Sequence, residues 1–207
     1  MHRYTLYKAK PSRMSTPELM YIRYPQIRQL SNKKTEMKIN KTLKNYAEKV
    51  YENRKKFIKE NPPFKGGGEI MKSQYGLSYK VRYFKHGKLS IEFSENEYSA
   101  GAAHGVSSYT TYNFLTKNEK NVSLKTNFKS NSAYQKANHY VQTYMKKHKD
   151  RYYLAFSNGN KPTIYGHSYF WTNHGLKVQF AQYEVAPFAL GAPTLSIPEK
   201  FLGETLP

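Results

Sequence analysis

The chain has 207 residues, of which 38% are hydrophobic and 15% aromatic, and this composition is typical of a folded domain with a real core. It contains no cysteine, which excludes disulfide bonds and thiolate chemistry. Its 34 Lys and Arg against 14 Asp and Glu give a formal net charge of +20, so polyanions are the expected partners and basic molecules are repelled.

The start of the sequence shows no apolar leader, so either the chain is trimmed or it is not exported by the usual route. Residues 1–8 lack the apolar core of a secretory signal peptide, and no run reaches the about 18 apolar residues that a membrane-spanning helix needs. Residues 1–19 hold two prolines and show no stable period, which predicts a basic N-terminal arm over that range.

A strand and a long helix are predicted next. Residues 20–24 alternate between apolar and other side chains, and Pro25 closes the strand that this period predicts. From about 31 to 59, apolar residues recur on helical spacing while Lys and Glu occupy the other positions, which predicts an amphipathic helix. Two prolines end this helix, and we interpret the three glycines at 66–68 as a linker.

After these glycines, apolar residues recur at every second position, which is the period of a β-strand. Residues 75–83 and 89–93 alternate on either side of His86-Gly87, which predicts a β-hairpin with a tight turn. Residues 106–114 continue the pattern as a third strand, after a loop of small residues at 99–105.

The C-terminal part begins with a second helix. Its spacing covers about 132–149, with Ser132 as the predicted N-cap. Further strands are predicted at 152–156, 169–171 and 176–180, and Asn173-His-Gly175 forms the turn of the last hairpin. An aromatic and acidic turn and a final strand extend to Pro198.

These elements predict an α+β fold, an antiparallel β-sheet of hairpins with two main amphipathic helices packed on it. We expect three parts along the chain: the arm (1–19), an N-terminal half with a strand, the basic helix and the hairpin strands (20–116), and a C-terminal half with a helix and antiparallel strands (117–207). The two halves are expected to share one core.

Four motifs follow one another along the sequence: Tyr24-Pro-Gln-Ile27 with the Lys-rich helix after it, Tyr98-Ser-Ala-Gly-Ala-Ala-His-Gly105, Tyr112-Asn-Phe114, and the terminal block from Phe170 through Tyr183-Glu-Val-Ala-Pro187. In this order the chain resembles the extracytoplasmic domain family shared by the anti-sigma-V factor RsiV and the peptidoglycan deacetylase PdaC. The resemblance covers roughly residues 20–198. It implies a cell-envelope module outside the membrane, which in RsiV senses lysozyme and in PdaC accompanies a deacetylase domain.

The sequence also departs from both proteins. It shows no membrane helix, no sigma-factor-binding segment and no deacetylase domain, so neither signalling nor deacetylation is expected of these residues. Lysozymes are usually basic, and a chain of charge +20 would repel them at long range.

No catalytic motif is present, so we expect no enzyme, no cofactor and no metal. Asp150 is the single aspartate and no Gly-x-Ser-x-Gly occurs, which disfavours a Ser-His-Asp triad. The seven histidines include no pair at i and i+4. Two alternatives stay open: a site built from His104, His167 or His174 with Glu184, and a carboxylate pair for glycoside cleavage, drawn from Glu92, Glu95, Glu97 and Glu184.

We therefore interpret the chain as a non-catalytic, envelope-associated binding module for an anionic wall polymer or glycan. One alternative is a sensor or inhibitor that binds a hydrolase such as lysozyme. The other is a cytosolic nucleic-acid-binding protein, which the missing signal peptide favours although the resemblance implies an extracytoplasmic location. The expected ligand-binding residues are His104, Trp171, Tyr183, Glu184 and Tyr98. The expected polyanion-binding residues are Lys33, Lys34, Lys41, Lys44, Arg54, Lys55 and Lys56.

Overall fold

The structure, a computed structural model, describes residues 7–8, 20–60, 63–66, 69–118, 120–159 and 161–203. Apart from residues 7–8, the predicted arm lies outside the described residues. The described chain divides into two compact units. Unit 1 contains the described residues of 1–80, 93–107 and 116–119, and unit 2 contains those of 81–92, 108–115 and 120–207.

The described residues form two α-helices and two principal sheets. The helices are α1 (Lys33–Glu60) and α2 (Asn131–Lys147). The strands are β1 (Tyr7–Lys8), β2 (Met20–Ile22), β3 (Pro25–Gln26), β4 (Phe64–Gly66), β5 (Glu69–Met71), β6 (Gln74–Lys85), β7 (Lys88–Tyr98), β8 (Val106–Leu115), β9 (Ser168–Thr172), β10 (Gly175–Gln179) and β11 (Thr194–Pro198). The principal sheets have the strand orders β2-β6-β7-β8 and β11-β10-β9, and β1-β3 and β4-β5 form two small ones.

Helix α1 of unit 1 confirms the predicted amphipathic helix. It starts after Asn32, whose side-chain oxygen accepts a hydrogen bond from the backbone N–H of Thr35 at 3.1 Å and so caps the first turn. Its buried stripe is Ile39, Leu43, Ala47 and Val50, which recur every three or four residues. Lysines occupy the opposite, exposed face.

Strand β2 differs from the prediction in its direction. It pairs parallel with β6, with Met20 opposite Tyr75 and Ile22 opposite Leu77, so α1 lies within a crossover connection between the two strands. A Cβ on Gly76 would lie 2.2 Å from the ring of Tyr21, so a larger residue there would have to displace this exposed ring. Sequence periodicity identified the strand but carried no information about its partner.

Strands β6 and β7 confirm the predicted hairpin. Its turn residues His86 and Gly87 both have positive φ, 50° and 69°, as a two-residue turn between twisted strands requires. The glycine triplet is not a plain linker, because Gly66 pairs with Glu69 in the β4-β5 hairpin. Gly67 and Gly68 themselves lie outside the described residues.

Unit 2 corrects two predictions. The N-cap of α2 is Ser130 and not Ser132, because its side chain accepts a hydrogen bond from the N–H of Ala133. The strand predicted at 152–156 is wrong, since Tyr153–Gly159 forms a 3₁₀ helix. Strands β9, β10 and β11 are antiparallel, and Trp171, Leu176 and Ile197 lie side by side in their register. They share one hydrophobic core with Tyr134, Ala137, Val141 and Met145 of α2.

The predicted α+β class is confirmed. The strands form two principal sheets, of which one is mixed because of β2, where a single antiparallel sheet was expected. The division into halves at residue 116 stays a prediction. Within the described residues no helix is both long enough and apolar enough to span a membrane.

Candidate functional site

Unit 2 contains a cavity of about 680 Å³. Four segments line it: the end of β6 with the turn into β7, the stretch 126–129, the turn between β9 and β10, and residues around Glu199 and Gly203. The volume lies in the range of about 300–1,000 Å³ that is typical of small-ligand sites. We treat this cavity as the candidate site.

Two hairpin turns form one side of the cavity. Nζ of Lys85, before the β6-β7 turn, lies 3.2 Å from Oδ1 of Asn173 in the β9-β10 turn. Gly175, the first residue of β10, has φ of +126°, and a Cβ there would lie 2.2 Å from the carbonyl oxygen of Ile197. Only glycine fits that position without a shift of the backbone, so the turn depends on it.

Trp171 and Asn127 form a rigid wall of the cavity. Nε1 of Trp171 donates to Oδ1 of Asn127 at 2.7 Å. The amide nitrogen of Asn127 in turn donates to the hydroxyl of Tyr169 at 2.9 Å and to the backbone oxygens of Ser123 and Leu124. The donors and the acceptor of this amide are therefore all used within the protein, which fixes the indole in place.

Lys88 is the unusual residue of the cavity. Its side chain is only 8% exposed, and its Nζ lies 5.4 Å from the ring centroid of Trp171. Among the residues that the structure describes, no carboxylate or carbonyl group pairs with this ammonium group. Burial lowers the pKa of Lys88 below its ordinary value. Partial burial of a cation without an anionic partner is unfavourable, and the indole face offsets part of that cost.

The other charges around the cavity are mostly positive as well. Lys85 and Lys129 line it and are exposed, whereas Glu199 is the one carboxylate among its lining residues. Burial, followed by the charge of Glu199, raises the pKa of Tyr83, which also lines the cavity. An anion entering the cavity would thus meet an excess of positive charge.

The expected ligand-binding residues fall in both units. Tyr98 and His104 belong to unit 1, where His104 is exposed and its Nδ1 lies 3.0 Å from the carbonyl oxygen of Gly105. Trp171 lines the cavity of unit 2, although it is only 3% exposed and lies mostly in the core. Strand β9 is the reason, because it contributes Trp171 to the core of unit 2.

Tyr183 and Glu184 lie in unit 2 on the loop between β10 and β11, and neither lines the cavity. Tyr183 has φ of 62°, is 50% exposed and stacks on Phe188 with ring centroids 5.7 Å apart. Glu184 accepts a hydrogen bond from the N–H of Ala181 and lies 2.6 Å from Nε2 of His167.

The contact between His167 and Glu184 shifts the pKa of both groups. The hydrogen bond to Glu184 raises the pKa of His167 although burial opposes it. Burial alone would raise the pKa of Glu184, but the hydrogen bonds from His167 and Ala181 outweigh it and lower that pKa. Of the histidines proposed to join Glu184, the structure thus brings His167 to it. The described residues contain no group of three His, Cys, Asp or Glu that could hold a metal ion.

Six of the seven expected polyanion-binding residues are exposed on α1. Lys33, Lys44 and Lys56 form surface ion pairs with glutamates three or four residues further on. Lys34, Lys41 and Lys55 form no ion pair with a described carboxylate, so their charges face solvent.

Arg54 is the exception, because it is only half-exposed and carboxylates of unit 1 hold it, and its role in binding a polyanion stays a prediction. Its guanidinium lies 2.5 Å from Glu97 and 4.0 Å from Glu95, and it stacks over the ring of Tyr75 at 4.4 Å. Glu95 also accepts hydrogen bonds from the hydroxyls of Tyr46 and Tyr75. Burial first, and then the contact with Glu95, raises the pKa of Tyr75. Arg54 is therefore committed within unit 1.

Three of the glutamates considered for a catalytic carboxylate pair form ion pairs with arginines. Glu92 is 3% exposed and is held by Arg82 at 2.6 Å in unit 2. Glu95 and Glu97 hold Arg54 in unit 1. Sequence reasoning did not identify Lys88 or Asn127, because a lysine after a turn and an asparagine in a loop are usually solvated.

Residues 16–107 match the family model described as deacetylase PdaC. The resemblance predicted from the sequence motifs is confirmed. No curated protein matches the chain.

Two solved structures share the fold over nearly the whole length of this chain. A DUF3298 family member from Bacteroides fragilis has a TM-score of 0.62 at 14% identity, with 98% of this chain and 92% of that chain covered. A DUF3298 family protein from Pseudomonas aeruginosa has a TM-score of 0.58 at 16% identity, with 98% and 96% covered. At these identities the likeness shows the fold.

Proposed function

We propose that the protein is a non-catalytic binding module of the cell envelope that binds an anionic wall polymer or glycan. The observation that carries this proposal is the row of exposed lysines along α1, within a chain of net charge +20. A repeating polyanion gains many weak contacts with such a row at once. The likeness to the family described as deacetylase PdaC supports an envelope location, which the resemblance of the sequence motifs implies.

The spacing of the unpaired lysines suits an extended polymer. Lys34, Lys41 and Lys55 are separated by seven and fourteen residues, close to whole numbers of helical turns, so they lie on one face. At a rise of about 1.5 Å per residue, neighbouring members are about 10 Å and about 21 Å apart along the axis. Successive phosphates or carboxylates of one strand can reach all three.

The test is retention on peptidoglycan sacculi with and without wall teichoic acid, over a salt series. Retention should depend on teichoic acid and should fall as salt shortens the Debye length to about 3 Å near 1 M. Changing Lys34, Lys41 and Lys55 together to Gln should abolish most of it. The matched control changes the exposed Lys136, Lys149 and Lys161 to Gln, which removes the same charge outside α1.

Two outcomes would refute the proposal. Equal loss in both triple variants would mean that net charge, and not α1, governs binding. Duplex or single-stranded DNA that displaces the protein more effectively than teichoic acid does would favour the nucleic-acid alternative.

A second candidate function, binding of a protein hydrolase, rests on the aromatic pair Tyr183 and Phe188. Both side chains are exposed and stacked, and exposed aromatic pairs are frequent anchors of protein interfaces. A stoichiometric complex with lysozyme that resists moderate salt and is lost in Tyr183→Ser would support this candidate. Its absence in the wild-type protein would remove it.

A further inference from the structure

We propose that the cavity of unit 2 is a binding site for one or two units of an anionic saccharide, whose carboxylate or phosphate pairs with Lys88. This inference goes beyond polymer binding on α1 because it concerns another unit and a small ligand. The choice of a saccharide rests on the proposed function, whereas the choice of an anion rests on the cavity itself.

Lys88 carries the argument for an anion. Its side chain is 8% exposed and lines the cavity, yet no described carboxylate neutralises it. Elsewhere in unit 2 a buried charge is paired: Glu92 has Arg82 at 2.6 Å. The ammonium group of Lys88 faces the cavity without a protein anion, and its partial burial weakens its hydration, so an anion that enters the cavity gains a favourable partner there.

The remaining lining residues suit a sugar. Tyr83, which is half-buried at the cavity, supplies aromatic surface of the kind on which the C–H faces of a pyranose pack. Asn173 and Thr126 supply short polar side chains for hydroxyl groups. Lys85 and Lys129 at the cavity add positive charge, which favours a charged sugar over a neutral one.

The side chains that line the cavity are also preorganised by hydrogen bonds within the protein. The indole of Trp171 is fixed by Asn127, and Asn127 is itself fixed by Tyr169. Lys85 is bridged to Asn173. A ligand therefore meets a wall whose side chains need little reordering, which reduces the entropic cost of binding.

Trp171 provides a local readout, because it is the single tryptophan of the chain. Its fluorescence, excited where tyrosine does not absorb, is titrated in the whole protein with glucuronic acid and with glucose 6-phosphate. Glucose and inorganic phosphate are the matched controls. We expect at least one anionic sugar to change the emission saturably, and glucose and phosphate to bind about tenfold more weakly or not at all. The two anionic probes distinguish a carboxylate from a phosphate ligand.

Three variants test the role of Lys88. Lys88→Met should weaken binding of the anionic sugar by about tenfold or more without lowering the melting temperature, because it removes an unpaired buried charge. Lys136→Met, on the exposed face of α2, should bind like the wild type. The double change Lys85→Met with Lys129→Met, at exposed positions, should weaken binding as well. This variant tests the role of positive charge at the cavity if Lys88→Met folds poorly.

The proposal is overturned if neither anionic sugar perturbs Trp171, if glucose binds as tightly as they do, or if Lys88→Met binds them unchanged. A lowered melting temperature with unchanged binding would make Lys88 a structural partner of Trp171. The two proposals fail separately. Sugar binding without retention on sacculi would refute the polymer function alone. Retention on sacculi without any change in Trp171 fluorescence on addition of the sugars would refute the cavity site alone.

Discussion

Nε1 of Trp171 donates a hydrogen bond to Oδ1 of Asn127 across 2.7 Å, and both side chains are buried. The same asparagine also donates to Tyr169, so one amide joins two aromatic residues of β9 to the stretch that lines the cavity. Burial raises the pKa of the Tyr169 hydroxyl, which remains a neutral donor to the carbonyl of Val122.

Asn127→Asp should lower the free energy of unfolding of the protein by about 3 kcal/mol or more. The carboxylate would be buried, and it could not donate to Tyr169 or to the backbone oxygens of Ser123 and Leu124. Urea denaturation measures this loss. Asn45→Asp, at an exposed position of α1, should change stability by less than about 0.5 kcal/mol. Equal effects at both positions would contradict the role given to Asn127.

Arg54→Met should destabilise the protein by about 2 kcal/mol, because it leaves Glu95 and Glu97 partly buried without their cation. Lys55→Met, at the neighbouring exposed position, should have an effect within about 0.5 kcal/mol. Denaturation gives the stability of both variants, and retention on sacculi gives their binding. The folded fraction of Arg54→Met should be retained on sacculi as well as the wild type is. A loss of retention that exceeds the loss of folded protein would instead support the predicted polyanion-binding role of Arg54.

The contact between His167 and Glu184 should stabilise unit 2 over a limited pH window. The folded pKa of His167 is raised above 6.5, so its contribution is complete below 6.5 and is lost as the pH rises through the raised value. The folded pKa of Glu184 is lowered below 4.5, so its contribution is complete above 4.5 and is lost as the pH falls through the lowered value.

His167→Gln should therefore reduce the free energy of unfolding by about 0.5 to 1 kcal/mol near pH 5.5 and by less near pH 8. Denaturation at both values, with His139→Gln on the exposed face of α2 as the control, measures this difference. A loss in His167→Gln that is the same at both pH values would show that the contact acts through packing on Phe180, whose ring centroid lies 4.8 Å away, and not through charge.

Gly175→Ala should destabilise the protein by about 3 kcal/mol, since the new Cβ meets the backbone of β11 and φ lies in a region that favours glycine. Gly166→Ala is the matched control, because Gly166 also has positive φ, 78°, but no atom within 4 Å of its added Cβ. Thermal unfolding separates the contact from the backbone effect. If the two variants lose the same stability, the close approach to Ile197 carries no energy of its own.

The secondary-structure elements that could be predicted from the sequence are those determined by residues close together along the chain. Helix α1 follows from apolar residues on helical spacing, and the β6-β7 hairpin follows from a turn in which His86 and Gly87 take positive φ. The 3₁₀ helix at Tyr153–Gly159 was missed because a five-residue apolar run does not distinguish a strand from a helical turn. Tyr152, just before this helix, and Ala155 within it are both buried and stand three residues apart, which is a helical spacing.

The candidate site was harder to predict, because its residues come from four separate segments. Trp171 was identified as an aromatic residue of interest, but its burial depends on the core beneath β9. Lys88 has no sequence signal, since its burial is set by tertiary packing. The sequence did carry a signal for Arg54. It follows Val50 by four residues and Ala47 by seven, so it lies on the buried stripe of α1 and not among the exposed lysines.

The parallel pairing of β2 with β6 has a consequence for the order in which the chain folds. Strand β2 is three residues long, lies at the edge of its sheet, and reaches β6 only after the whole of α1 has been formed or looped out. The β6-β7 hairpin needs no such closure and is the earlier event. In native-state hydrogen exchange, the N–H of Arg23, bonded to the carbonyl of Leu77 at 2.9 Å, should lose protection before the amides between β6 and β7. Docking of the first strand would then be the final step of assembly and the first to be undone.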